Sequence, residues 1–365
     1  MNLLRLLAWP FAFLYGLVVI IRNKLFDTGF FPSTEIKEAA LIGVGNLTVG
    51  GTGKTPHVEY LVRLLSPRYS VATLSRGYGR QTSGFRLAEE SDTTSEIGDE
   101  PRQFRHRFAP EIPVAVDANR VHGVKKLLEK FPKLQVVILD DVFQHRRIKP
   151  GLQIVLTDYA RLYYQDHMLP TGLLREPKSG IRRADIIIVT KTPQLFSPLE
   201  RKRIIKKISP QPYQKVYFST IVYGHFVPFG NSEKALELPK EFFFERNFSV
   251  ILLTGIANSH SLEYFLKDKV KELVTCRFRD HHEFSPADLL RLQEIFKNLT
   301  AENKIVLTTE KDAMRLRKPG LEEYLGDLPV YYVPIEIAFH DQDASAFNQQ
   351  IQDYVRSQPV NRKLH

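Results

Sequence analysis

The sequence predicts a two-lobed α/β protein, and three observations lead to that fold class. Short, nearly continuous apolar runs alternate with helical patterns over much of the 365-residue chain, which is typical of parallel βαβ units. A second series of such runs begins at residue 248, after a stretch of alternating β-branched and aromatic residues. A charge-free apolar segment precedes both series. We therefore expect a parallel-sheet core, a smaller α/β carboxyl-terminal lobe and an amino-terminal helix.

The amino-terminal segment, residues 6–21, reads LLAWPFAFLYGLVVII and has basic residues on both sides. Its length falls short of the roughly 20 residues that span a bilayer squarely, and no small-x-small cleavage site follows it. The sequence predicts a membrane-associated helix over residues 1–25 that dips into one leaflet, with Trp9 and Tyr15 at headgroup level. A buried core helix is the alternative.

The first lobe is predicted to cover residues 26–212. Because its apolar runs are continuous rather than alternating, they indicate strands that are covered by helices on both faces. These runs are residues 39–44, 70–75, 112–116, 135–140, 153–158 and 185–190.

Residues 213–240 are predicted to form a β-ribbon linker, because residues 213–229 alternate β-branched and aromatic side chains. The carboxyl-terminal lobe then covers residues 241–365. Its predicted strands are residues 248–255, 273–278, 303–309 and 328–335.

The composition narrows the class of partner. A net charge of +10 favours an acidic partner: nucleic acid, anionic lipid or a phosphorylated substrate. No nucleic-acid-binding motif accompanies the basic clusters, so we expect no nucleic acid as a partner. We also predict no protein partner. The single cysteine, Cys276, excludes an internal disulfide and fits a reducing compartment.

A glycine-rich loop follows the first predicted strand and precedes an amphipathic helix, which is the context of a phosphate-binding P-loop. Its glycines let backbone N–H groups approach phosphate oxygens, while Lys54 would bridge the β and γ phosphates and the Thr55 hydroxyl would bind Mg²⁺. The full Walker pattern has glycine where this chain has Thr48. The predicted nucleotide-binding residues are Thr48, Val49, Gly50, Gly51, Thr52, Gly53, Lys54 and Thr55.

Acidic residues supply two further candidates. Asp140 and Asp141 follow a buried strand, where a P-loop protein needs a carboxylate for Mg²⁺. Asp99 lies in the segment GDEP and is a candidate base for the hydroxyl proton of an alcohol acceptor. From spacing alone, a surface turn is the alternative for Asp99.

The segment FRDHHEF carries adjacent histidines, His281 and His282, after Asp280. No third or fourth ligand has a suitable spacing for zinc. An Asp–His pair that orients a base fits better, and a structural pair is the alternative.

Together these segments resemble the tetraacyldisaccharide 4′-kinase family, the lipid A 4′-kinases. The matching motifs occur in the family's order over nearly the whole chain: VGNLTVGGTGKTP, LSRGYGR, GDEP, DDVFQH, LPTGLLREP, VTKT, TGIAN, FRDHHEF and TTEKDA.

The resemblance implies a P-loop-NTPase-like core, a smaller lobe joined by a β-ribbon, and an anchoring amino-terminal helix. It implies ATP and Mg²⁺ as cofactors and transfer of the γ-phosphoryl group to the 4′-hydroxyl of a tetraacylated glucosamine disaccharide 1-phosphate, a lipid A precursor. The implied location is the cytoplasmic face of the bacterial inner membrane.

Residue roles also follow from the resemblance. Asp140 and Asp141 would belong to the Walker B metal site, and Glu176 would join the metal or substrate environment. Asp99 would form the catalytic dyad with His281, while His282 stays open as the partner. The resemblance also makes Thr48 a family trait and places two residues at the lipid headgroup: Arg76 and Tyr78.

Three positions depart from the family pattern: Val142 and Ser259 replace a glycine and a proline, and Leu173 replaces a proline. Val142 adds bulk beside the predicted metal carboxylates. Two other functions remain as alternatives: a soluble P-loop kinase of a small metabolite, and a nucleotide-dependent switch that needs no base.

Overall fold

The computed structural model describes residues 3–108, 110–230, 238–256, 259–280, 282–318 and 320–362. The chain divides into two compact units. Unit 1 contains Met1–Glu90, Phe104–Ile221 and Ile337–His365, and unit 2 contains Ser91–Gln103 and Val222–Glu336.

The strands are short and mostly buried. In chain order they are β1 Ala40–Asn46, β2 Val71–Ser75, β3 Arg86–Leu87, β4 Val114–Val116, β5 Val136–Asp140, β6 Leu152–Asp158, β7 Ile186–Thr190, β8 Lys215–Tyr223, β9 Val227–Phe229, β10 Ser249–Thr254, β11 Glu272–Arg277, β12 Lys304–Thr309, β13 Val330–Val333 and β14 Ile335–Phe339.

The α-helices are α1 Leu3–Asp27, α2 Lys54–Leu65, α3 Thr94–Ile97, α4 Asp99–Phe108, α5 Arg120–Lys130, α6 Pro198–Ile208, α7 Lys240–Glu245, α8 His260–Lys267, α9 Pro286–Asn298, α10 Glu310–Leu316, α11 Asp343–Ser357 and α12 Pro359–Arg362. Short 3-10 helices cover Tyr163–Gln165, Lys178–Arg183 and Glu322–Leu325.

The larger sheet has the strand order β14-β8-β7-β6-β1-β5-β2-β4-β3. The pairs from β8 through β4 are parallel, and β3 joins β4 antiparallel. All six predicted strands of the first lobe are present in it. Strand β1 is buried along its whole length because both faces of a parallel sheet are covered.

The central position of β1 determines where the site forms. The chain leaves β1 toward β2 on one side, and β6, β7 and β8 extend the sheet on the other. Ligands of open α/β sheets bind at the carboxyl ends of the strands at such a switch point. The register pairs Val44 of β1 with Asp140 of β5, so the ends of these two strands are adjacent.

The smaller sheet has the order β11-β10-β12-β13-β9, parallel except for β9. Its core includes Leu253, Leu289 and Phe229, all nearly inaccessible to solvent. The predicted strands of the second lobe are confirmed up to β13.

The linker differs from the simple ribbon expected over residues 213–229. β8 lies between β7 and β14 in the larger sheet, whereas β9 pairs with β13 in the smaller one. β8 thus pairs with β14, a strand that is distant in sequence.

The predicted strand at 328–335 is divided in the structure, because Pro334 has no N–H group to continue the ladder.

The unit boundaries also differ from the sequence-based ones. Residues 337–365, expected in the carboxyl-terminal lobe, belong to unit 1, and residues 91–103, expected in the core, belong to unit 2. Helix α11 buries Phe347, Ile351 and Val355, and Phe347 lies 4.6 Å from Phe339 between ring centroids. Apolar periodicity identifies such a helix but does not tell which sheet it covers.

Helix α1 is longer than its apolar run. Residues Ala8–Asp27 have a mean hydropathy of 1.3 and, by length and composition, can cross a membrane. Its outward face exposes large apolar side chains, whereas Tyr15 donates a 2.8 Å hydrogen bond to the carbonyl of Arg175. Tyr15 therefore faces the body of unit 1, and its position at headgroup level stays a prediction.

We expect Phe347→Ala to destabilise unit 1 by about 3–5 kcal/mol, the usual cost of removing a buried aromatic ring from a packed core. Urea unfolding monitored by circular dichroism measures the change. Phe30→Ala is the matched control, because Phe30 is 73% exposed and surface truncations change stability by no more than about 0.5 kcal/mol. Equal shifts in the two variants would contradict the packing described for α11.

Candidate active site

The glycine-rich loop connects the end of β1 at Asn46 with the start of α2 at Lys54. Gly50 and Gly53 have φ of +102° and +86°, a left-handed region that favours glycine. A Cβ added at Gly50 or Gly51 meets no heavy atom of the described residues within 4 Å. The backbone N–H groups and the amino terminus of α2 can therefore approach an anion.

Neighbouring strands hold the loop in this shape. The Asn46 side-chain amide donates to the hydroxyl of buried Thr52 at 2.9 Å, and the Thr190 hydroxyl donates to the Thr52 carbonyl at 2.9 Å. Lys191, which follows β7, donates to the Gly51 carbonyl and pairs with Asp158 at 2.7 Å. The loop is thus fixed from β1 and β7.

His57 supports the loop from the first turn of α2. Its Nδ1 lies 2.7 Å from the Gly53 carbonyl oxygen, and its Nε2 lies 3.0 Å from the Ser219 hydroxyl. A carbonyl only accepts, so Nδ1 carries the proton and Nε2 accepts from Ser219. Burial lowers the pKa of His57 to about 4, opposed by the bond to Gly53, and the ring stays neutral.

The two aspartates predicted for the metal site lie where β5 ends. Asp140 is 4% exposed, and Asp141 has a φ of 47°. Arg175 binds both carboxylate oxygens of Asp141, at 2.9 and 3.1 Å, and Lys54 lies 3.5 Å from the same group. Burial favours a higher pKa for Asp141, but the hydrogen bond from Arg175 and the charges of Lys54, Arg175 and Arg120 outweigh burial and hold that pKa well below its usual range.

Arg175 also fixes its own loop to the P-loop. Its guanidinium donates to the Asn46 carbonyl at 3.2 Å and to the Asn46 side-chain oxygen. Backbone bonds run from Val49 N–H to the Leu173 carbonyl and from Arg175 N–H to the Leu47 carbonyl, both 2.8 Å. The motif LPTGLLREP is therefore hydrogen-bonded directly to the phosphate loop.

Glu176 is 2% exposed and is surrounded by donors. It accepts from Gln144 at 2.9 Å and from Asn23 at 3.3 Å, and it pairs with Arg183 at 2.8 Å. These contacts connect the loop after β5, helix α1 and the 3-10 helix at Lys178–Arg183. A role of Glu176 at the metal stays a prediction.

The donor set suits Mg²⁺. Among the described residues no group of three or more His, Cys, Asp or Glu side chains is arranged to hold a metal ion. Mg²⁺ in nucleotide sites typically uses one or two carboxylates together with substrate phosphates and water. Thr55 at the start of α2 and the acidic pair at the end of β5 are oxygen donors of that kind, and their role as metal ligands stays a prediction.

A cationic region lies beside the acidic pair. Arg120 is buried and donates to the carbonyls of Asp140 and Asp141 at 3.2 and 3.4 Å. Burial and the charges of Arg120, Arg147, Arg76 and Arg22 lower the pKa of His145 to about 4. Of the two residues predicted to contact a lipid headgroup, Arg76 is exposed just after β2, and Tyr78 is 80% exposed.

The candidate base and His282 belong to unit 2. Asp99 begins α4 and pairs with Arg315 at 2.8 Å. His282 pairs with Asp288 at 3.0 Å and stacks on Phe278 with ring centroids 4.4 Å apart. His281 lies outside the described residues, so its pairing with Asp99 stays a prediction.

Sequence reasoning missed four polar residues that shape these sites. Arg175 and Lys191 lie within recognised motifs and Arg315 lies two positions after one, but each also binds a partner far away in the chain. His57 stands just after the P-loop, where a histidine on an apolar helix face carries no signal of its own.

A central β1, a glycine-rich loop ahead of α2 and an acidic pair at the end of β5 define a P-loop nucleotide-binding protein. The family model described as tetraacyldisaccharide-1-P 4′-kinase matches residues 4–356. The chain belongs to that family.

Relatives that carry this name align with nearly the whole chain. Tetraacyldisaccharide 4′-kinase of Bacteroides thetaiotaomicron is 45% identical over 97% of this chain and 94% of its own, and that of Flavobacterium johnsoniae is 45% identical over 98% of both chains. The crystal structure of LpxK from Aquifex aeolicus in complex with ATP has a TM-score of 0.71 and 28% identity, covering 97% of this chain and 100% of that one.

We expect His57→Leu to weaken nucleotide binding about tenfold, because the Gly53 carbonyl and Ser219 hydroxyl lose a buried partner that is worth about 1–3 kcal/mol. Calorimetric titration with Mg·ADP measures the affinity. His260→Leu is the control, since its side chain is 76% exposed in unit 2. Unchanged affinity in His57→Leu would show that the ring does not hold the loop.

Proposed function

We propose that this chain transfers the γ-phosphoryl group of ATP to the 4′-hydroxyl of a tetraacylated glucosamine disaccharide 1-phosphate, at the cytoplasmic face of the bacterial inner membrane. The observation that carries the proposal is the joining of Lys54, Asp141 and Arg175 at the P-loop in a chain that belongs to the 4′-kinase family. The relatives' name supplies the acceptor.

The donor half of the reaction belongs to unit 1. The N–H groups of the loop would bind the phosphates, and Lys54 would neutralise charge on the β and γ phosphates. Thr55, Asp140 and Asp141 would hold Mg²⁺, which when bound neutralises the charge that develops on the transferred group. The low pKa of Asp141 keeps this carboxylate ionised at neutral pH, which is the form in which a carboxylate binds a cation.

Asp99 would accept the proton of the sugar hydroxyl, with His281 or His282 as the histidine of the dyad. The Arg315 guanidinium pairs with the Asp99 carboxylate at 2.8 Å. Arg76 and Tyr78 would contact the headgroup of the acceptor. Their exposed side chains at the end of β2 are accessible to a bulky lipid sugar.

The membrane half of the proposal depends on α1. Its exposed side chains include Phe11, Leu14 and Val18, which recur at helical spacing on one face. An apolar face without a protein partner among the described residues suits the acyl region of a bilayer. A net charge of +10 adds attraction to anionic lipid.

We expect the purified protein to form a labelled 1,4′-bisphosphorylated lipid when it is incubated with Mg²⁺, γ-labelled ATP and the disaccharide 1-phosphate in detergent. Lys54→Met removes the cation at the γ-phosphate, and Asp99→Asn removes the base. Each should lower kcat by at least ~100-fold. Thin-layer separation of the labelled lipid measures the rate.

Asp353→Asn is the matched control, because this aspartate is half exposed on α11. Asp99→Asn should bind Mg·ATP as the unchanged protein does. If ATP binds and no labelled lipid forms, the lipid acceptor is wrong and a small-metabolite kinase is favoured. Full activity of Asp99→Asn would instead favour a protein that needs no base.

We expect the triple variant Phe11→Ser, Leu14→Ser, Val18→Ser to have an affinity for membranes at least ~100-fold lower, since each apolar side chain contributes roughly 1.5–3 kcal/mol when it leaves water. Flotation with phosphatidylethanolamine and phosphatidylglycerol vesicles measures binding. The control replaces two exposed leucines elsewhere in unit 1, Leu195 and Leu199. Unchanged flotation of the triple variant would exclude α1 as the anchor.

A further inference from the structure

Arg315 is a nearly buried cation at the end of α10, with a side chain 6% exposed. One guanidinium nitrogen donates to Asp99 at 2.8 Å, and the other donates to the Gly255 carbonyl at 2.9 Å and to Asp312 at 3.0 Å. A planar guanidinium can serve three acceptors at fixed angles, whereas a lysine ammonium is a single point charge. This position therefore requires more than a positive charge.

The other side of Arg315 is itself fixed. Asp312 is 0% exposed and accepts from the Gly255 N–H at 3.0 Å and from the Thr309 hydroxyl at 2.8 Å. Thr309 caps α10 and Gly255 follows β10, so two strands of the smaller sheet hold the carboxylate that holds Arg315. Gly255 of the motif TGIAN and Asp312 of the motif TTEKDA both bind Arg315, and Arg315 in turn binds Asp99.

The first turn of α4 is held against α10 independently of Arg315. Lys311 pairs with Glu100 at 2.9 Å, and Gln103 donates to Glu310 at 3.0 Å. Arg102 donates to the carbonyls of Met314 and Arg317 at 2.7 and 2.9 Å. The backbone at Asp99 thus has its own supports, and the contact from Arg315 acts on the carboxylate itself.

We propose that Arg315 is a positioning residue for the reaction: it holds one oxygen of the Asp99 carboxylate in place, with Asp312 as the group that orients Arg315. The inference rests on the proposed function, in which Asp99 takes the proton of the acceptor hydroxyl. A base that rotates or is protonated loses reactive geometry before the protein loses nucleotide binding.

The test compares Arg315→Met and Arg315→Lys with the unchanged protein in the labelled-lipid assay. We expect kcat to fall at least ~10-fold in both, with the KM for ATP within about 2-fold, because the donor site is left intact. Arg315→Lys retains a cation for Asp312 and tests the inference even where Arg315→Met does not fold. Arg277→Met is the matched control, since Arg277 is half exposed and pairs with Glu263 on the surface of unit 2.

Chemical rescue separates positioning from folding. We expect millimolar guanidinium to restore part of the activity of Arg315→Ala and to leave that of Lys54→Met unchanged, because only the former variant has lost a guanidinium. Wild-type kcat in either folded Arg315 variant overturns this inference and leaves the proposed function standing. Failure of guanidinium to restore the activity of folded Arg315→Ala does the same. An unchanged protein that binds ATP but forms no lipid product overturns the proposed function and this inference together.

Discussion

The pairing of Arg175 with Asp141 is the interaction on which the donor site depends. The Asp141 carboxylate, next to buried Asp140 at the end of β5, pairs with a bidentate guanidinium and with the Lys54 ammonium, which favour its ionised form. The same guanidinium binds Asn46, whose amide fixes Thr52 in the loop. One arginine from a distant loop therefore connects the phosphate loop and the acidic pair.

Unit 2 repeats this arrangement around Asp99. Arg315 binds the candidate base on one side and, on the other, an aspartate with no exposed surface. In both units a guanidinium binds a carboxylate for which we propose a role in the reaction. Rigid side-chain placement of this kind favours phosphoryl transfer, in which catalysis comes mainly from positioning and charge neutralisation.

Helix α1 exposes an apolar outer face and also contacts the site through its inner face. Tyr15 bonds the Arg175 carbonyl, Asn23 bonds Glu176, and Arg22 bonds the Gln144 carbonyl at 2.8 Å. Deleting the helix would therefore remove supports of the loop that carries Arg175, together with any membrane anchor. Substitutions confined to the outer face separate these two roles.

The sequence by itself determined the α/β class, most strand positions, the P-loop and the acidic residues at Asp140 and Asp141, because these depend on local periodicity, turn chemistry and short motifs. It did not determine that β8 pairs with β14, that Tyr15 faces inward, or that residues 337–365 belong to unit 1. Nor did it reveal that Arg175 pairs with Asp141 and Arg315 with Asp99, carboxylates that lie 34 and 216 positions away in the chain. Only the tertiary structure decided these contacts, since a charged side chain in a sequence carries no information on which opposite charge the fold brings beside it.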